Sequence, residues 1–355
     1  MGFYYEKVIR PILFRIDPEK AHDLGVTALD YLSRLRGLCR LMASWNGLGP
    51  RARPVEVFGL RFANAVGLAA GMDKNGRFWR AAGALGFGHA EIGTVTWLAQ
   101  PGNDRPRLFR YPEQQAVINR MGFNNEGAAA IAARLKAAGR RPGDGIPLGI
   151  NIGKSRATPL DEAVDDYLKS FHALAEYADY LAINVSSPNT PELRKLQDPG
   201  HLRVLLGELA GANRNRARKL GEQPKPLLLK IAPDLEFHEI DGILHIIAEF
   251  QLDGIIATNT TVARPGPFAT VEEAGGLSGA PLFPRMLEVV NYIHRATRGR
   301  LPIVASGGID SAARAGAAVA AGATLVQVYT GMIFRGPFIA TDIARALAPA
   351  QTAWV

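Results

Sequence analysis

The chain holds a single cysteine, Cys39, in 355 residues. One thiol excludes an intramolecular disulfide framework and any multi-cysteine zinc or iron-sulfur centre, and it fits a reducing compartment. The seven histidines show no metal-ligand spacing and are expected mostly on helix surfaces, so no metal site is expected. Long apolar runs are also scarce. Near the start Glu6, Lys7, Arg10 and Arg15 interrupt each run before it reaches signal length, so the chain is expected to stay inside the cell. Residues 315–334 carry no charge, but Gly316, Gly322, Thr324, Gln327, Thr330 and Gly331 point to a buried helix and a strand rather than a membrane span. Neither Ser186 nor Ser187 sits in a Gly-x-Ser-x-Gly elbow, which removes that route to a nucleophilic serine. Acidic residues are the minority: 33 Asp+Glu against 41 Lys+Arg leave a formal charge of +8 and favour anionic partners.

The remaining composition, 47% hydrophobic and 21% charged, is that of a globular chain with enough apolar residues for one large core and a small appendage. Residues 1–45 form the appendage. Phe3, Tyr4, Val8, Ile9, Ile12, Leu13 and Ile16 recur at helical spacing. A second helical pattern opens at Asp17-Pro18, an N-cap followed by proline at the first helical position. With Lys7, Arg10, Arg15, Lys20, Arg34, Arg36 and Arg40 beside these stripes, an amphipathic, basic helical hairpin is expected. It either packs on the main domain or also touches anionic lipid.

Residues 46–355 read as the main domain. Apolar runs at 62–68, 89–92, 147–151, 180–185, 227–231, 254–258, 303–306 and 324–328 alternate with helical patterns at 76–85, 125–137, 160–177, 201–219, 238–250, 281–297, 311–321 and 338–347. Eight strand-helix units with strands apolar on both faces predict a closed (β/α)8 TIM barrel, an α/β fold. The polar residues gather just after the strands, where this fold places its chemistry: Lys74, Thr94, Asn151, Asn184 to Thr190, Lys230, Thr258 to Thr260, Gly307-Gly308 and Tyr329-Thr330. The glycines at 307 and 308 leave backbone amides open to an anion, and the neighbouring Tyr329-Thr330 strengthens the case for a phosphorylated ligand. Lys230 ends an apolar strand and needs either a counter-ion or an electron-rich ring, while Lys74 offers a cation to a carboxylate. Asn119, Asn124, Asn151, Asn184, Asn189 and Asn259 suit a planar, amide-rich ring.

Several longer motifs then carry a resemblance. Asp17 to His22, Ala70-Gly71-Met72-Asp73-Lys74-Asn75-Gly76, Pro101-Gly102-Asn103 with Arg105 to Arg110, Asn119 to Asn125, Asn184 to Thr190 and Gly275 to Gly279 resemble the quinone-dependent, membrane-associated class of dihydroorotate dehydrogenase over nearly the whole chain. The resemblance implies FMN held by Ala70, Gly71, Thr94, Asn151, Asn184, Lys230, Thr258, Gly279, Gly307, Gly308, Tyr329 and Thr330. It implies dihydroorotate held by Lys74, Asn119, Arg120, Met121, Gly122, Phe123, Asn184, Asn189, Asn259 and Thr260, with Ser187 as catalytic base where the soluble classes carry cysteine. It also implies a quinone acceptor reached past His22 and Arg110, the latter on the loop after the second strand. The implied reaction removes a proton from C5 and a hydride from C6 of dihydroorotate, giving orotate for pyrimidine biosynthesis. A serine needs help as a base, and a relay through Thr190 or water is expected. The protein is expected to be a monomer on the cytoplasmic face of a bacterial membrane, with an anionic lipid surface as partner and no nucleic acid. Two other classes stay open. A tRNA dihydrouridine synthase is similar as a basic FMN barrel, although the cysteine and RNA-binding domain of that family are not seen here. A non-catalytic helical membrane adaptor on a degenerate barrel is the second.

Overall fold

The computed structural model describes residues 2–46 and 54–350. The junction between the two expected domains, at 47–53, lies outside the described residues.

The described main domain opens with a short antiparallel hairpin, β1 (Val55–Val57) and β2 (Leu60–Phe62). The strands that follow are β3 (Val66–Asp73), β4 (His89–Val95), β5 (Leu108–Tyr111), β6 (Ala116–Asn119), β7 (Leu148–Ile152), β8 (Tyr180–Asn184), β9 (Leu227–Ile231), β10 (Gly254–Ala257), β11 (Gly276–Gly279), β12 (Ile303–Ser306) and β13 (Leu325–Val328). Eight of them, β3, β4, β7, β8, β9, β10, β12 and β13, pair in parallel in that order and close when β13 meets β3. Every residue of β4, β7, β8, β9, β10, β12 and β13 is buried, which explains why most of these strands are apolar runs; β4 departs from this, carrying His89, Glu91 and Thr94.

The expected eight-unit barrel is therefore present, with shifted edges. Phe62 belongs to the leading hairpin, and the first barrel strand instead runs from Val66 past the expected end at residue 68 to Asp73. The helices run at Trp79–Ala84, Ala128–Ala137, Ala163–Leu174, Pro199–Leu220, Phe237–Phe250, Phe283–Thr297, Ala312–Ala320 and Ile339–Ala350. The uncharged 315–334 stretch divides into the end of one helix, β13 and a short helix Thr330–Arg335. No helix among the described residues is long and apolar enough to cross a membrane.

A second sheet was not foreseen. β5, β6 and β11 form an antiparallel sheet over the barrel mouth, with Gly276 opposite Asn119 and Gly279 opposite Ala116. Arg110 therefore sits on a strand, not on a loop.

The N-terminal extension is helical from Gly2 to Leu13, again over Pro18–Arg34, and once more over Arg36–Trp45. Asp17 caps the middle helix, its Oδ1 accepting from the amides of Glu19 and Lys20 at 3.0 Å, with Pro18 at the first turn. The break at Leu35 adds a third element to the expected hairpin. His89 also departs from expectation. It is fully buried on β4, its ring packs edge-on to Phe62 and Tyr180, and a Cβ at Gly67 would lie 2.0 Å from its Nε2. Burial pushes its pKa down to about 3, so it is a neutral plug of the barrel interior.

Candidate active site

The strand ends and the covering sheet border an open cleft. Of the residues assigned to a cofactor, Ala70, Gly71, Thr94, Asn184, Lys230, Thr258, Gly279, Gly307, Gly308, Tyr329 and Thr330 line it. Of those assigned to substrate, Lys74, Asn119, Met121, Gly122, Phe123, Asn184, Asn189, Asn259 and Thr260 do so, together with Ser187. Two residues stand apart. Asn151 lies fully buried beneath the cleft. The Arg120 guanidinium donates to Pro106 O at 2.8 Å and stacks on Phe109, away from the opening.

The floor is a network of amides. Thr94 Oγ1 donates to Asn151 Oδ1 at 2.6 Å, Asn184 Nδ2 donates to Thr94 Oγ1 at 2.9 Å, and Asn259 Nδ2 donates to Ser186 Oγ at 2.9 Å. Below it lies Glu91, a residue the sequence reading passed over. Its carboxylate accepts from Asn151 Nδ2 at 2.9 Å, Gln327 Nε2 at 2.9 Å and Tyr180 OH at 3.3 Å, and it faces Lys230 Nζ at 3.8 Å. The lysine thus has its counter-ion, and Lys230 is also among the residues that line the cleft. Burial pushes the Lys230 ammonium below its usual range, with Glu91 working the other way. A charged residue inside an otherwise apolar strand, at His89-Ala90-Glu91-Ile92, was the signal available for it.

The cleft fits FMN. Gly307 and Gly308 have φ of 139° and 69°, and a Cβ at Gly308 would meet Gly279 O at 2.8 Å, so only bare backbone fits on that wall. Gln327, which also lines the cleft, has its Oε1 buried without a hydrogen-bond partner among the described residues, an acceptor left over in a site rich in them. Ser278 Oγ and Thr330 Oγ1 lie 2.8 Å apart on the same wall, and Ser278 is another residue the sequence reading gave no role.

The opposite part holds Ser187. It is buried, and its Oγ accepts from the amide of Asn189 at 3.2 Å. Among the described residues no histidine or carboxylate hydrogen-bonds to it. Asn189 Nδ2 donates to Asn119 O at 3.0 Å, which joins the serine loop to the covering sheet. Thr190 Oγ1 is buried with no hydrogen-bond partner among the described residues.

A second cavity, lined mostly by apolar groups, lies between the N-terminal helices and the barrel. Phe14, Val26 and Leu29 line it from the extension, and Met72, Met332 and Tyr329 from the barrel side. His22 and Arg110 both border it. Arg110 donates to Leu13 O at 3.1 Å and to Ile16 O, and its guanidinium lies 4.4 Å from the Phe14 ring centroid. Tyr329 lines both cavities and so forms part of the wall shared by the polar cleft and the apolar one.

Comparison with known proteins agrees with this arrangement. Residues 53–350 match the family model described as dihydroorotate dehydrogenase. A curated dihydroorotate dehydrogenase (quinone) of Acidithiobacillus ferrooxidans is 52% identical over 343 residues, covering 96% of this chain and 93% of that one. One of Gloeobacter violaceus is 51% identical over 346 residues, covering 96% and 93%. The crystal structure of the Eimeria tenella DHODH in complex with ferulenol superposes with a TM-score of 0.81 at 37% identity, covering 93% of this chain and 90% of that one. Alignment over nearly the full length with quinone-dependent enzymes, on a barrel whose mouth carries the matching polar set, means that the chain belongs to the dihydroorotate dehydrogenase family, in its quinone-dependent class.

Proposed function

We propose a division of labour in which one face of the barrel mouth handles dihydroorotate and the other hands electrons to a lipid-soluble acceptor. The chain is a flavin-dependent oxidoreductase that converts dihydroorotate to orotate in pyrimidine biosynthesis, with FMN as cofactor and a quinone as electron acceptor. FMN supplies the hydride acceptor when bound. The chain's own residues hold and orient it: Thr94, Asn184, Lys230 and Thr258 at the strand ends, with Gly279, Gly307, Gly308, Tyr329 and Thr330 as the more open wall. Lys230 supplies positive charge where negative charge accumulates on the ring.

Lys74 is the cation for the substrate carboxylate, and Asn119, Asn189, Asn259 and Thr260 read the amide edges of the ring. Ser187 is the base that takes the C5 proton. Its Oγ receives the Asn189 amide, which leaves its remaining lone pair and proton for substrate and relay. The orphan Thr190 hydroxyl is the next acceptor, directly or through water.

The observation that carries the quinone half is the apolar cavity whose barrel wall is Tyr329. The extension also carries exposed apolar side chains, Phe3, Tyr4, Ile12 and Trp45 at 62–73% exposed, and the basic residues Lys7, Arg10, Arg15, Arg36 and Arg40. Such a composition suits peripheral docking on an anionic bilayer, here the cytoplasmic face of a bacterial membrane, by a monomer. The test uses purified protein. It is yellow, bleaches anaerobically with dihydroorotate and regains colour with a quinone. A colourless preparation that binds no flavin, or one that bleaches and is not reoxidised by any quinone, overturns the reading.

A further inference from the structure

Among the contacts between the N-terminal helices and the barrel, two are made by buried acids. Asp30 pairs with Arg77 at 2.8 Å, on the flank of the barrel. Glu19 is different because of where its partners lead. Its Oε1 accepts from Arg107 Nη2 at 2.8 Å and from Arg105 Nη2 at 2.9 Å, and both Glu19 and Arg107 are buried. Burial works against the Glu19 carboxylate, and the hydrogen bonds from Arg107 and Arg105 outweigh it and hold its pKa below the ordinary range.

Arg107 uses its other amino group on the loop before it, donating to Pro101 O and to Asn103 O at 2.7 Å each. Asn103 in turn donates through Nδ2 to Arg120 O at 2.9 Å and to Asn189 O at 3.1 Å. The Asn189 amide reaches Ser187 Oγ, and its side chain reaches Asn119. A continuous hydrogen-bonded path therefore runs from a helix of the extension to the base and to two residues that face the substrate ring. The same carboxylate is the leading positive influence on the pKa of Lys74, the cation of the cleft.

We propose that Glu19 is a positioning residue for the dihydroorotate subsite, so that the extension is a working part of that subsite and not of the quinone path alone. Glu19 fixes Arg107, Arg107 fixes the Pro101–Asn103 turn, and that turn holds the Ser187–Asn189 loop against Asn119. The inference rests on the reading that this end of the cleft takes dihydroorotate.

The test measures flavin-loaded, full-length enzyme by equilibrium titration with orotate and by steady-state kinetics. Glu19→Gln is expected to raise both the orotate Kd and the KM for dihydroorotate by about tenfold or more, the scale of one lost charge-assisted hydrogen bond. Turnover at saturating dihydroorotate and the KM for quinone stay near wild type, and Glu19→Asp recovers part of the loss. Removing the Glu19 charge also moves the pH at which orotate affinity falls to lower values, because Lys74 loses a stabilising anion. Mere loosening of the extension would hydrate Lys74 and move that pH upward. Asp30→Asn, which cuts the other anchor, leaves orotate affinity unchanged. The proposal is overturned by unchanged orotate affinity in Glu19→Gln, by an equal loss in Asp30→Asn, or by an upward pH shift. If Glu19→Gln does not fold with flavin, Asn103→Ala cuts the same path from the barrel side, and unchanged orotate affinity there overturns it equally. Failure of wild-type enzyme to bind orotate would instead sink the underlying assignment of the cleft.

Discussion

Lys74 Nζ lies 3.4 Å from His22 Nε2, so the cation of the polar cleft touches a histidine that borders the apolar cavity. Burial pushes the lysine down to about 8, with Glu19 and Asp23 opposing, and pushes the histidine down to about 3, with Lys74 adding to the fall. At neutral pH His22 is uncharged and Lys74 carries its proton. The sign for substrate follows. If Lys74 holds the substrate carboxylate as proposed, binding needs the charged lysine, which is nearly complete a unit or more below pH 8 and is lost as pH rises through that value. The dihydroorotate KM is expected to be flat from about pH 6 to 7 and to climb by up to about tenfold per unit above pH 8. A profile flat to pH 9.5 would take Lys74 out of carboxylate binding.

Ser187→Ala is expected to keep FMN bound and to slow anaerobic flavin reduction by dihydroorotate about a hundredfold or more, the contribution typical of a general base. Reoxidation by quinone should not change. Stopped-flow absorbance separates the two halves, and near wild-type reduction would remove Ser187 from the chemistry.

Lys230→Met leaves Glu91 buried without its cation, which costs about 3–5 kcal/mol for a broken buried pair. Lower flavin retention and a lower unfolding midpoint are expected together. Adding Glu91→Gln should restore much of the midpoint and little of the flavin affinity, because only the first depends on compensating the carboxylate. Recovery of both would show that Lys230 acts through the fold alone.

Deleting residues 1–45 uncovers Tyr329, Met72 and Met332, which the extension shields. The shortened protein is expected to be bleached by dihydroorotate only at raised concentration, to pass electrons poorly to a long-chain quinone and to remain in the supernatant with anionic liposomes. Intact quinone reduction and sedimentation would reduce the extension to packing.

The barrel was legible because its strands are buried on both faces, and runs such as Leu227–Ile231 have no polar alternation to mislead. The mouth was legible for a related reason: polar residues cannot sit in such strands cheaply, so they collect where the strands stop. The covering sheet was not legible. β11 pairs Gly276 with Asn119, and a contact so distant in sequence leaves no local period. Glu91 was missed on the same ground that made the barrel clear, since one acid inside a short apolar run reads as an interruption until Asn151, Tyr180, Gln327 and Lys230 are seen to converge on it. The two-helix reading of the extension lost Arg36–Trp45 because the break at Leu35 carries neither glycine nor proline.

The wall formed by Tyr329 also sets what competition can look like. On the proposed assignment, with dihydroorotate in the polar cleft and the quinone on the apolar side, a compound filling the apolar side leaves the substrate pocket open. Raising dihydroorotate would then not displace such a compound. Inhibition from that side would persist at any substrate level and would yield only to the acceptor it displaces.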